Sequence, residues 1–160
     1  AAPAGAAVSE AQRARAVEWA MTQVGHREKG HTNRSARIDR WTRAMGLRVP
    51  PARPWCGSFV HEAFRRAGVN LSARLIDPHR SYFDAKAGRR GLKAIPVKSV
   101  RRGDLLFYKI RPGLKASHLA IVRARNGDGT VKTVEGNVSH AVRALDRGLE
   151  HPVLAARVVG

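Results

Sequence analysis

The run His118-Leu119-Ala120-Ile121-Val122-Arg123-Ala124-Arg125-Asn126-Gly127-Asp128-Gly129-Thr130-Val131-Lys132-Thr133-Val134 decides the fold class. β-branched and alternating residues flank a Gly-rich turn, which predicts two strands, His118–Arg125 and Thr130–Val134, joined as an antiparallel hairpin. Two further runs of the same character, Asp104–Ile110 and Ala155–Val159, stand before and after it. Upstream the period changes to that of helices. Ser9-Glu10-Ala11-Gln12 fits a capping box, followed by Ala14, Val17, Met21 and Val24 at helical spacing and a stop at Gly25. After a loop over His26–Arg34, a second helix carries Ile38, Trp41 and Met45 and stops at Gly46.

Three prolines between Val49 and Pro54 exclude helix there. A third helix follows at once, with Phe59, Val60, Ala63, Phe64 and Ala67 on one side and Gly68 as its stop. The stretch Asn70–Val97 is weakly patterned and is read as a short helix around His79–Ala87 followed by a basic loop. Helices in the first half and hairpin-linked strands in the second predict an α+β fold, with N-terminal helices packed on a C-terminal antiparallel sheet. Residues 1–8, small and featureless, are read as a flexible lead or as the end left by removal of a signal peptide whose apolar core is not in the chain. Residues 9–160 are read as one domain.

The chain has 160 residues, 43% hydrophobic and 26% charged, which excludes collagen-like, disordered and membrane-spanning classes. Thirty Lys and Arg against twelve Asp and Glu give a net charge of +18, and 23 of the basic residues are Arg. Such a field attracts polyanions: nucleic acid, anionic lipid or an acidic wall polymer. The basic residues are spread from Arg13 to Arg157 and never run longer than two, unlike the block of a nucleic-acid-binding arm.

Cys56 is the one cysteine, so an intrachain disulfide is impossible. It falls on the first turn of the third helix, where unpaired N–H groups and the helix dipole favour a thiolate and face a developing oxyanion. Of seven histidines, His118 opens a hydrophobic strand and is the one best placed to be a fixed base; His61 lies on the same helix as Cys56 and turns away from it. The next strand ends in Glu135-Gly136-Asn137, and in a hairpin that end returns to the start of the His118 strand. Either Glu135 or Asn137 is then within reach of the imidazole. His26 and His31 lack the helical spacing of a zinc pair, and phosphate loops and dinucleotide fingerprints are absent, so neither metal nor cofactor is expected.

These blocks together resemble the CHAP family, the cysteine, histidine-dependent amidohydrolases and peptidases of the papain-like group. Pro54-Trp55-Cys56-Gly57-Ser58-Phe59-Val60 resembles its cysteine motif. Arg102-Gly103-Asp104-Leu105-Leu106-Phe107-Tyr108 with Ser117-His118-Leu119-Ala120-Ile121-Val122 resembles its Gly-Asp and His strands, and Val134-Glu135-Gly136-Asn137 its closing motif. Val24-Gly25, Asn33, Ile38-Asp39 and Trp41 resemble the helical lead-in. Gly57 stands where Ala is usual, Ser117-His118-Leu119 replaces Gly-His-Val, and the acidic calcium cluster of some members has no counterpart.

The resemblance implies a papain-like fold and hydrolysis of a peptidoglycan amide bond, by an N-acetylmuramoyl-L-alanine amidase or a peptide endopeptidase. Cys56 would be the nucleophile, His118 the base and Glu135 its orienting partner, with Asn137 a secondary polar contact and Trp55 a wall of the substrate cleft. It further implies a monomer acting at the bacterial wall or periplasm, its charge directed to anionic wall polymers or lipopolysaccharide and not to a specific nucleic acid. A nucleic-acid-binding module without catalysis would explain the charge but not the ordered blocks. An amidase or transpeptidase acting on another amide would use the same residues.

Overall fold

A computed structural model describes residues 5–160. Ser9 caps α1 (Glu10–Thr22): its hydroxyl accepts from the Gln12 N–H while the Ser9 N–H donates to the Gln12 side chain. Ser35 caps α2 (Ala36–Ala44) in the same way, accepting from the Ile38 N–H. α3 spans Cys56–Arg66, and Gly68 at φ +79° turns the chain away from its end. α4 covers Pro78–Lys86, with Pro78 in the first turn and Asp77 as cap. The last residue of the lead read over 1–8 is tied to the domain. Val8 is buried and its N–H donates to the Val159 carbonyl, so an apolar side chain and a strand partner anchor it. Residues 1–4 lie outside the described residues.

The six strands are β1 (Leu92–Ile95), β2 (Leu105–Tyr108), β3 (His118–Arg125), β4 (Thr130–Val138), β5 (Ala141–Gly148) and β6 (Leu154–Val158). They form one antiparallel sheet in the order β1-β6-β2-β3-β4-β5. The sequence pattern missed β1 and β5, and these are the two edge strands. Edges carry charge and short apolar runs to avoid further pairing, which erases the alternation that marks a strand. β4 is also longer than its apolar stretch, because Glu135-Gly136-Asn137 continues it.

Alternation along the strands divides the core in two. Leu105, Phe107, Leu119, Ile121, Val134 and Val142 face the helices and pack with Phe59 and Phe64 of α3, whose burial contributes about 2–3 kcal/mol each. Leu106, Tyr108, Ala120, Val122 and Val131 form a second cluster on the other face, under Val97 and Val100.

Two glycines set the position of α3. A Cβ at Gly136 would meet Phe59 at 2.7 Å and the Trp55 ring at 3.1 Å, so β4 and α3 touch there. A Cβ at Gly57 would lie 1.8 Å from the Leu75 carbonyl oxygen, because the turn Ala73–Ile76 presses on the first turn of the helix. The first turn of α3 is thus clamped between a strand and a turn. That contact is the physical reason for glycine where the resembled motif has alanine.

Candidate active site

Cys56 begins α3 at the floor of a cleft of ≈ 590 Å³ and is nearly inaccessible, at 2% exposure. Trp55, which precedes it, offers no side-chain acceptor to cap the helix, so the first-turn N–H groups stay open beside the sulfur. The proline-containing approach, with Arg53 and Pro54, forms one wall. The junction of the Ala73–Ile76 turn with α4 forms another, and the β2–β3 loop and β4–β5 turn close the rest.

His118 lies at the start of β3, across from Tyr108 in the register with β2. Its Nε2 is 2.7 Å from Glu135 Oε1, and Cys56, which lines the same cleft, is close enough to the ring to favour its charged form. With Nε2 given to the carboxylate, Nδ1 is the nitrogen left for the sulfur. The register Ile121↔Val134, carried on, puts Glu135 diagonal to His118 on the same face of the sheet. The hairpin alone therefore brings imidazole and carboxylate together.

Burial pulls the His118 imidazolium down, but Cys56 and Glu135 outweigh it and raise the ring to about 9. Burial also acts to raise the Glu135 carboxyl, yet hydrogen bonds from His118, Arg147 and Thr133 hold it down at about 2. His118 is thus an imidazolium and Glu135 a carboxylate across the neutral range. Burial, with Glu135 beside it, pushes the Tyr108 phenol far above its usual range, and its hydroxyl has no partner among the described residues.

The sequence reading left open whether Glu135 or Asn137 reaches the ring; the bond is made by Glu135. Asn137 stands at the cleft rim in a left-handed conformation, φ +63°, and is not among the partners of His118. Trp55 corrects an expectation. It is fully buried, packs on Trp41, and is absent from the cleft wall. Its Nε1–H donates instead to Glu28 Oε2 at 2.9 Å, which draws the ring inward and holds the start of α3. Glu28 is itself buried and takes a second bond, 2.6 Å, from His140 Nδ1. Its N–H donates to the His140 carbonyl, so the segment read as an open loop lies alongside β5.

Arg147 was also missed. Its guanidinium grips Glu135 with two bonds, Nε to Oε2 at 2.9 Å and a terminal nitrogen to Oε1 at 2.6 Å, and lies 5.0 Å over the Tyr108 ring. The Thr133 hydroxyl donates to the same carboxylate. Recognition of β5 would have placed Arg147 on the Glu135 face; without that strand the sequence offers only one arginine among 23.

The CHAP domain family matches residues 48–137, more than half of the chain. No curated protein matches the sequence. A solved structure described as similar to a lipoprotein of the NLP/P60 family, from Staphylococcus aureus, superposes with a TM-score of 0.58 at 14% identity. The superposition covers all of this chain and 45% of the other, so the present chain spans less than half of that protein's length. At that identity the likeness speaks for the fold, and it agrees with helices packed on an antiparallel sheet. The matched span contains the cysteine helix, the histidine strand and the Glu-Gly-Asn strand end in their order. The chain belongs to the CHAP domain family, a family of cysteine amidohydrolases and peptidases.

Proposed function

We propose that the protein hydrolyses an amide bond of bacterial peptidoglycan by acyl transfer through Cys56. The observation that carries this reading is that Cys56 and His118 line one cleft, with the buried Glu135 carboxylate 2.7 Å from the His118 ring.

The Cys56 thiolate attacks the carbonyl carbon, and the oxyanion forms beside the open N–H groups of the first turn of α3. His118 gives its proton to the amide nitrogen as the C–N bond breaks, leaving a thioester on Cys56 and a free amine. The neutral imidazole then takes a proton from water, whose oxygen attacks the thioester. Carboxylic acid is released and the thiolate–imidazolium pair is restored. Glu135 keeps the ring in place and stabilises its positive form throughout.

The cleft suits a peptide that bears carboxylates. Arg53 and Arg111 line it without a carboxylate partner among the described residues, Asn33 and Asn137 add neutral hydrogen-bonding groups, and Ile110 at its mouth is 68% exposed. The site of action that fits is the bacterial wall or periplasm, where such peptides occur.

Digestion of purified peptidoglycan by the native protein and by Cys56→Ala, with the soluble products weighed by mass spectrometry, tests the reading. Fragments from the native protein alone are expected, and their masses separate an amidase from an endopeptidase. No fragments from either protein, with the thiol reduced and walls of several species supplied, would overturn it. Fragments from both would show that Cys56 is not the nucleophile.

A further inference from the structure

A second cavity, ≈ 780 Å³, opens between α1, α2 and the C-terminal end of α3, about 15 Å along the helix from Cys56. Its rim carries the guanidiniums of Arg37, Arg40, Arg43, Arg65 and Arg66. Among the described residues the one carboxylate on its wall is Glu62, buried and already shared by Arg65 and Arg66 at 2.7 Å each. Arg37 donates only to the neutral Gln23 side chain, at 3.1 Å. Arg40 and Arg43 are exposed, and their guanidiniums take part in none of the side-chain hydrogen bonds or ion pairs among the described residues. The three arginines of α2 recur every third residue and span about 9 Å of helix. The positive field is felt nearby: burial, with Arg37 and Arg40, holds His26 below its ordinary value.

The aromatic residues here say what kind of anion fits. Arg66 lies over the Trp19 ring at 5.7 Å, and Trp41 and Phe59 pack against it at 5.7 and 5.9 Å. Trp41 is buried. Trp19, partly exposed, already carries Arg66 over its ring, so a nucleobase would have to displace that cation to stack, and stacking is how non-specific single-strand binders gain much of their affinity. Charge is the main feature the groove offers a ligand.

We propose that this groove binds a phosphodiester polymer of the bacterial wall, one whose repeat carries phosphate and no base, and so holds the domain on its substrate. The proposal rests on the peptidoglycan reading for its choice of polymer.

Purified poly(glycerol phphosphate) titrated into the full chain at several salt concentrations tests it. Arg40→Ser with Arg43→Ser is expected to weaken binding about tenfold and to lower the salt slope by about two, one for each cation removed. Arg89→Ser with Lys93→Ser, which removes the same charge outside the groove, is expected to change affinity less than twofold. Arg40→Lys with Arg43→Lys, which keeps the charge, guards against a folding artefact and should retain most of the affinity. Equal losses from the two serine pairs would mean diffuse attraction and overturn the groove. Tighter binding of single-stranded DNA than of the polymer at equal phosphate count would make nucleic acid the ligand and overturn it too. Polymer binding that depends on the groove, with no wall fragments from the native protein, would uphold the groove and overturn the hydrolase reading. Wall fragments with binding indifferent to Arg40 and Arg43 would do the reverse.

Discussion

Asp104 and Glu135 are both fully buried carboxylates gripped by two bonds from one arginine, and they differ in what else they hold. Arg157 binds Asp104 at 2.9 and 2.7 Å, and the Arg101 N–H takes the remaining position at 2.7 Å. Every contact of Asp104 is thus to a cation or a backbone donor that closes the start of β2 against β6. Arg147 binds Glu135 at 2.9 and 2.6 Å, but here one oxygen also meets an imidazole that shares its cleft with a thiol. The same clamp tethers a strand in one place and holds an imidazole in the other. An arginine–carboxylate pair becomes part of a site through the titratable group it shares, and burial alone does not distinguish the two.

The contrast is sharpest at the sulfur. Cys56→Ala is expected to lower kcat on wall fragments by about 10⁴-fold with melting temperature little changed, since a nucleophile's loss removes the chemistry and not the packing. Glu135→Gln should follow, with kcat reduced on the order of 10³-fold. His118 is raised by Cys56 and by this carboxylate, so the imidazolium proposed to protonate the leaving amine is lost as pH rises through about 9. In Glu135→Gln the alkaline limb of the pH–rate profile should move to lower pH. An unmoved limb would show that the carboxylate does not act on the ring.

Asp104→Ala is expected to cost about 2 kcal/mol in denaturant unfolding, because it leaves the Arg101 N–H and the half-buried Arg157 guanidinium without their acceptor, while the alkaline limb of the surviving activity stays near 9. A shifted limb would erase the distinction between the clamps. Arg147→Met should reduce kcat about tenfold and move the limb upward, as a positive charge near the imidazolium is removed. Arg147→Lys should bring the limb back toward its native position, a result that simple loosening of β5 would not give. Asn137→Ala, at the rim and free of the clamp, is expected to raise KM about threefold with kcat unchanged.

The linked stability has a defined sign. Glu135, held down at about 2, contributes stability that is present above its ordinary value near 4.5 and is lost as pH falls toward 2. His118, raised to about 9, contributes stability that is full below 6.5 and is lost as pH climbs through 9.

The residues by themselves determined the α+β order, the three capped or stopped helices before the sheet, and the hairpin that returns Glu135 to His118. Those features are local: capping boxes, glycine stops and strand register are written within a few residues of where they act. The same locality put Cys56 on the first turn of α3. Tertiary structure decided the rest. The edge strands β1 and β5 lacked an apolar alternation because edges must resist further pairing, and with β5 went Arg147, whose grip on Glu135 crosses from one strand to the next. Trp55 looked like a cleft wall because it adjoins the cysteine in sequence. Only the buried carboxylate of Glu28, brought alongside β5 from the other end of the chain, turned its ring into the core. Gly57 and Gly136 likewise have no local reason to be glycine, and both are explained by what packs on them from distant segments. Contacts between residues far apart in sequence leave no periodic trace, and most of what holds this site in place is of that kind.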